Sequence, residues 1–133
     1  MTLDFIDQLS EHVKGMKLGY PIKVGALDVE DSISVYALPG GRIIQKYFDD
    51  TVDKLLNYEF AIKTTKHKAA VAALDTLAQE LPEAEIPSSN GSYEFRKIEV
   101  SSEPFSSDRD EKFYYYRLAI TAELTTYKQE EQQ

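Results

Sequence analysis

Apolar residues recur at three- and four-residue steps near the start of the chain: Phe5, Leu9, Val13 and Met16, with Ile6 beside them. That period predicts an amphipathic helix. Thr2 is placed to cap it and Asp4 suits the positive end of its dipole. Gly15 or Gly19, followed by Pro21, ends it. A second stripe, Ala70, Leu74, Leu77 and Leu81 with Val71 and Ala78 alongside, predicts a helix over 66–81. Its alanines raise helix propensity and allow close approach to a sheet, and Pro82 stops it.

Elsewhere the period shortens to two. Leu56, Tyr58, Phe60 and Ile62 alternate with Asn57, Glu59, Ala61 and Lys63, the pattern of a half-buried strand. Residues 32–38 and 42–48 are β-branched and aromatic, with Pro39-Gly40-Gly41 between them. They read as a hairpin, Gly40 supplying the positive φ of a type II turn. Both carry apolar residues on both parities, so their faces stay unassigned. Asp49, Asp50 and Asp53 mark the next loop. Residues 93–101 form another strand, in which Tyr93 and Phe95 share one parity and Ile98 and Val100 the other. A bulge near Arg96-Lys97 puts all four on one face. Residues 102–112 read as a charged loop, and 113–125 as a last strand. Its Tyr114, Tyr116, Leu118, Ile120, Ala122 and Leu124 share a face.

The resulting order is α-β-β-β-α-β-β. Two helices on one face of a mainly antiparallel sheet of about five strands, an α+β fold, bury every stripe. One domain over 1–127 suits the length of 133 residues. The polar end, 128–133, reads as a disordered tail.

Composition narrows the chemistry. There is no cysteine, which removes disulfides, thiolate-ligated zinc and thiol catalysis. Fifteen basic against twenty-three acidic residues give a net charge of −8, which argues against a general binder of nucleic acid or anionic membrane. The start lacks the basic and apolar regions of a signal peptide, and no stretch reaches membrane-span length. Asn90-Gly91-Ser92 reads as a turn.

No catalytic constellation stands out. His12 and His67 lie on the polar sides of the two helices without a helical ligand partner. The Asp49, Asp50 and Asp53 loop lacks the glycine and distal glutamate of a calcium loop, and Asp108, Asp110 and Glu111 are interleaved with Arg109 and Lys112. Gly40-Gly41 leads into a strand, so it does not open a phosphate-binding helix. No cofactor is expected. The tyrosines say more. Phe113 and Tyr115 alternate with Tyr114 and Tyr116, so the last strand is aromatic on both faces. One face is core. The other, with Phe113, Tyr115 and Arg117, is a candidate subunit interface, because tyrosine is enriched at interface cores. Its competing explanation is cover by a loop or the first helix.

Several phrases, in order, resemble the minor capsid or tail-terminator proteins of long-tailed bacteriophages and prophages. They are Leu38-Pro-Gly-Gly-Arg-Ile-Ile-Gln-Lys-Tyr-Phe-Asp49, Leu56-Asn-Tyr-Glu-Phe-Ala-Ile-Lys63, Asn90-Gly-Ser-Tyr-Glu-Phe95, Ile98-Glu-Val-Ser-Ser-Glu-Pro-Phe105 and Tyr114-Tyr-Tyr-Arg-Leu-Ala-Ile-Thr-Ala-Glu-Leu124. The similarity covers most of the chain, though no single motif is diagnostic. It implies a small α+β subunit of a homo-oligomeric ring, usually a hexamer, at the head–tail junction of the virion. Such a ring caps the tail tube protein and docks it to a head completion or connector protein. It would assemble in the bacterial host cytoplasm, without membrane or specific nucleic-acid binding, while DNA passes through. The resemblance brings no catalytic residues. A second reading stays open, a small enzyme or ligand-binding domain with a pocket built from Tyr58, Tyr93 and carboxylates.

Overall fold

The computed structural model of the chain describes residues 3–25, 30–109 and 111–127. Thr2, Asp110 and the tail 128–133 lie outside the described residues. Helix α1 spans Phe5–Gly15, strand β1 Ile22–Val24, β2 Ser32–Lys46 and β3 Val52–Thr64. Helix α2, His67–Glu80, runs into a 3-10 turn, Leu81–Glu83, which contains Pro82. Strands β4, Tyr93–Arg109, and β5, Tyr114–Thr126, follow. The fold is α+β in the expected order α-β-β-β-α-β-β.

The five strands form one sheet in the order β1-β2-β3-β5-β4. β1 and β2 are parallel and every other pair is antiparallel. The period-two pattern of β3 holds: Tyr58, Phe60 and Ile62 are buried, as are Tyr116, Leu118, Ile120, Ala122 and Leu124 of β5. Phe60 lies opposite Val35 on one side and Leu118 on the other. These inner-face residues join Phe5, Leu9 and Val13 of α1 and Ala70, Leu74 and Leu77 of α2 in one core. Each fully buried large side chain there contributes about 1.5–3 kcal/mol relative to exposure. In α2 the buried partner of the stripe is Ala73, whereas Val71 is exposed.

The strands themselves differ from expectation in three places. First, residues 32–38 and 42–48 are not a hairpin. They belong to one long strand, β2, interrupted at Pro39-Gly40-Gly41. Gly40 does take a positive φ, +99°, but as part of a bulge. The register jumps from Leu38 opposite Asn57 to Arg42 opposite Leu55, and Asn57 Nδ2 bonds the Pro39 carbonyl at 3.2 Å across the gap. An extra residue or two can thus be absorbed without reversing the chain. The reversal comes later, at residues 47–51. There Asp50 takes φ +70°, and Asp49 accepts bonds from the Thr51 N–H and hydroxyl at 3.1 and 2.7 Å. Second, β1 went unseen because it is three residues long with only Ile22 buried. Third, β4 does not stop at residue 101 but continues through the expected loop to Arg109. It is an edge strand, where a proline costs no ladder bond if its nitrogen faces away from the partner. Four register shifts punctuate it, one between Phe95 and Lys97 where a bulge is expected.

Candidate functional site

Both helices pack on the inner sheet face, and among the described residues no helix covers the outer one. The outer face is a set of polar rungs running across the strands. Arg117 Nη1 lies 2.6 Å from Glu59 Oε1, and the Tyr36 hydroxyl donates to Glu59 while accepting from Arg117. The Glu59 carboxylate beside it raises the Arg117 pKa, while burial, followed by the bond to Glu59, raises that of Tyr36. On the next rung Thr121 Oγ1 donates to Asn57 Oδ1 at 2.8 Å. On the third, Asp53 accepts from Thr125 Oγ1 and from the Tyr47 hydroxyl, the latter at 2.6 Å, and Arg96 Nε donates to Thr125 Oγ1 at 2.8 Å. The Thr125 and Tyr47 bonds hold the Asp53 carboxyl below its ordinary pKa. Asp53 is therefore a buried member of β3, not a loop residue.

The three candidate interface residues share this face. Phe113 is buried, with Lys63 Nζ 4.4 Å and Lys112 Nζ 5.1 Å from its ring centre. Tyr115 is half-buried and sits in register with Lys63 of β3 and Asp108 of β4. Arg117 is engaged with Glu59 and Tyr36 as described.

The other residues singled out from the sequence do not converge. His12 is half-buried on α1. His67 opens α2, and its Nδ1 shares a hydrogen bond with the Tyr116 hydroxyl. Asp49 is spent on its own turn. Tyr58 and Tyr93 do come together, but inside the core: their rings lie 5.3 and 5.4 Å from that of Phe5. Burial pushes the Tyr58 pKa up to about 12, and the Tyr93 hydroxyl donates to the Ile86 carbonyl at 2.6 Å. Tyr58 is closed off within that cluster, whereas Tyr93 also borders a groove of about 650 Å³ between the 3-10 turn and the start of β4.

A second feature escaped the sequence reading. Beyond the Gly40-Gly41 bulge, β2 and the 47–51 turn form an arm whose β2 side carries no further strand among the described residues. Ile43, Ile44, Tyr47 and Phe48 are all exposed on it, Phe48 at 110%. The signal was present in the apolar residues on both parities, which fit a strand with no buried face as well as one with two.

Comparison with protein-family models matches residues 15–126 to the family described as "Bacteriophage tail terminator protein". The chain belongs to the bacteriophage tail terminator family. Comparison with curated proteins gives no match. Membership makes this tail terminator a structural component of a phage tail and hence of the virion, in contact with other phage proteins. Among the described residues no helix is long and apolar enough to cross a membrane.

Proposed function

We propose that this chain forms a closed ring, a hexamer by the family resemblance, at the head–tail junction. There it caps the finished tail tube and docks it to the head completion or connector protein. Its role is structural rather than catalytic. The observation that carries the ring is the one-sided layering: helices close the inner sheet face, while the outer face of β5, with Phe113, Tyr115 and Arg117, has no second layer from the described chain. A sheet normally buries both faces or presents one to solvent or a partner. Tyr115, half-buried on this face and in register with Lys63 of β3, is the side chain we assign to the contact with a neighbour.

The charge of −8 per subunit gives the ring a second property. A negative channel repels phosphate and lets DNA pass without adhering. Electron microscopy of the purified protein, alone and mixed with tail tubes, tests the reading. Rings, and tube ends closed by them, are expected. Protein that stays monomeric with tubes present, leaving their ends bare, overturns it.

A further inference from the structure

Strand β4 stands last in the sheet order, so one of its edges pairs with no strand among the described residues. The groove that Tyr93 borders runs along that edge. Its lining takes in every residue from Tyr93 to Lys97, although Phe95 stacks on Phe5 in the core while Arg96 bonds Thr125 on the outer face. Side chains of both faces meet one cavity only at the rim of a sheet. The opposite wall is built from residues between Pro82 and Ser88. The Tyr93 hydroxyl ties the walls at one point, through the Ile86 carbonyl, but among the described residues no backbone hydrogen bond joins them. The ladder groups of a strand edge therefore face an open trough, the setting in which an extended peptide adds a strand.

The trough is acidic. Arg96 and Lys97 each hold a carboxylate, Glu94 at 3.5 Å and Glu99 at 2.9 Å, which leaves the exposed Glu83 and Glu85 to set its sign. No basic residue stands in the last turn of α2, where one would offset the negative end of the helix dipole, and Glu80 adds to it. Pro87, Phe95 and Tyr127 supply apolar wall between the charges. These features suit a cationic, partly apolar occupant. A second copy, which brings a charge of −8, does not fit that description.

We propose that this groove takes an extended segment of another virion protein, in which lysine or arginine alternates with apolar residues, as an added strand along β4. Main-chain bonds to the free edge hold the segment, its cations face Glu83 and Glu85, and its apolar side chains lie against Phe95 and Tyr127. Charge sets orientation and partner choice more than affinity. The site is separate from the outer-face contact of the ring reading and does not depend on it.

The probe is a capped, fluorescein-labelled hexapeptide that alternates lysine with valine and phenylalanine, followed by anisotropy. Its controls are a glutamate counterpart and a lysine copy N-methylated on two adjacent central amides, which blocks both of its edges. The lysine peptide is expected to bind and to shift the backbone amide signals of residues 93–97. Both controls should bind at least about tenfold more weakly, the first through charge and the second through lost main-chain bonds. Glu83→Gln/Glu85→Gln should melt like wild type and bind the lysine peptide about 5- to 10-fold more weakly. Purified tail tubes and head connectors are then added in turn, and one of them is expected to displace the peptide. Four results overturn the inference: no binding of the lysine peptide, equal binding of the N-methylated copy, undiminished binding by the Glu83→Gln/Glu85→Gln variant, or displacement by neither tubes nor connectors. Loss of self-association in that variant gives the groove to a second copy and overturns it too. Ring formation is read separately, by sedimentation of wild type, so its failure leaves the peptide result standing.

Discussion

Asp4 and Ser92 bond each other in both directions: the Ser92 hydroxyl donates to Asp4 Oδ1 at 2.9 Å, and the Asp4 N–H donates to Ser92 Oγ at 3.2 Å. Ser88 and Ser89 add side-chain bonds of 2.7 and 2.9 Å to the same carboxylate, and the Ser89 N–H adds one of 2.9 Å. Asp4 stands at the N-cap of α1 but makes no side-chain cap to its own helix. Its carboxylate instead ties the start of α1 to the loop before β4.

That tie is expected to titrate. Burial alone would raise the Asp4 pKa, but the bonds from Ser88, Ser89 and Ser92 outweigh it and lower the value from 3.8 to about 2. A depressed folded-state pKa stabilises above the unfolded value and is lost as pH falls from about 4 towards 2. Asp4→Asn should therefore cost about 1–2 kcal/mol at pH 7. The gap between variant and wild type should narrow below pH 3. Urea denaturation at both pH values checks this, and a gap independent of pH would remove the carboxylate from the account.

Phe60 and Glu59 are neighbours on opposite faces. Phe60→Ala leaves a cavity under both helices and should cost about 3–5 kcal/mol. Glu59→Ala deletes a half-buried ion pair at the surface of the sheet, with Arg117 free to reach water, and should cost about 1 kcal/mol. Equal denaturant midpoints for the two variants would mean that the faces of β3 have been exchanged.

The Gly40-Gly41 bulge gives a backbone test. A Cβ on Gly41 would lie 3.0 Å from Leu56 Cδ2 and 3.2 Å from the Leu55 carbonyl oxygen. Gly41→Ala should destabilise by about 1–3 kcal/mol through overpacking. Gly15, at the end of α1, has nothing within 4 Å of such a Cβ. Gly15→Ala should be neutral, or stabilise by up to about 1 kcal/mol. A melt of each variant separates the two, and two neutral results would mean that the bulge is not as tight as described.

The helices, β3 and the inner face of β5 were legible because each has a single buried side, and a single period reports a single side. The 42–48 segment had no such constraint: with every residue exposed, its pattern carried no face, and Pro-Gly-Gly resembles a turn whether the chain reverses or merely bulges. β4 was read short for a related reason. Pro104 and its charges signal loop in a central strand but are tolerated at an edge. The outer face was half legible. Alternation placed Phe113, Tyr115 and Arg117 together, but nothing in the spacing reveals that Glu59 and Tyr36, fifty-odd residues and more away in the chain, engage Arg117.

Assembly should respond to salt in a direction set by net charge. Each subunit carries −8, so closing a ring concentrates like charge and repulsion opposes it. Salt screens that repulsion, with a Debye length of about 8 Å at physiological ionic strength. Exposed ion pairs at a junction weaken as well, but each contributes little, about 0–1 kcal/mol. The balance favours a monomer that shifts towards rings as salt rises. Tyr115, half-buried on the outer face, should supply part of the attraction when a neighbour covers it. Tyr115→Glu adds a charge that a covered face cannot hydrate, so it should block rings at low and high salt alike while the subunit still unfolds cooperatively. Sedimentation of both proteins across a salt series, with and without tail tubes, is the measurement. If wild type assembles and Tyr115→Glu assembles equally well, the outer face of β5 faces solvent or channel, and its aromatic pattern belongs to packing within one subunit.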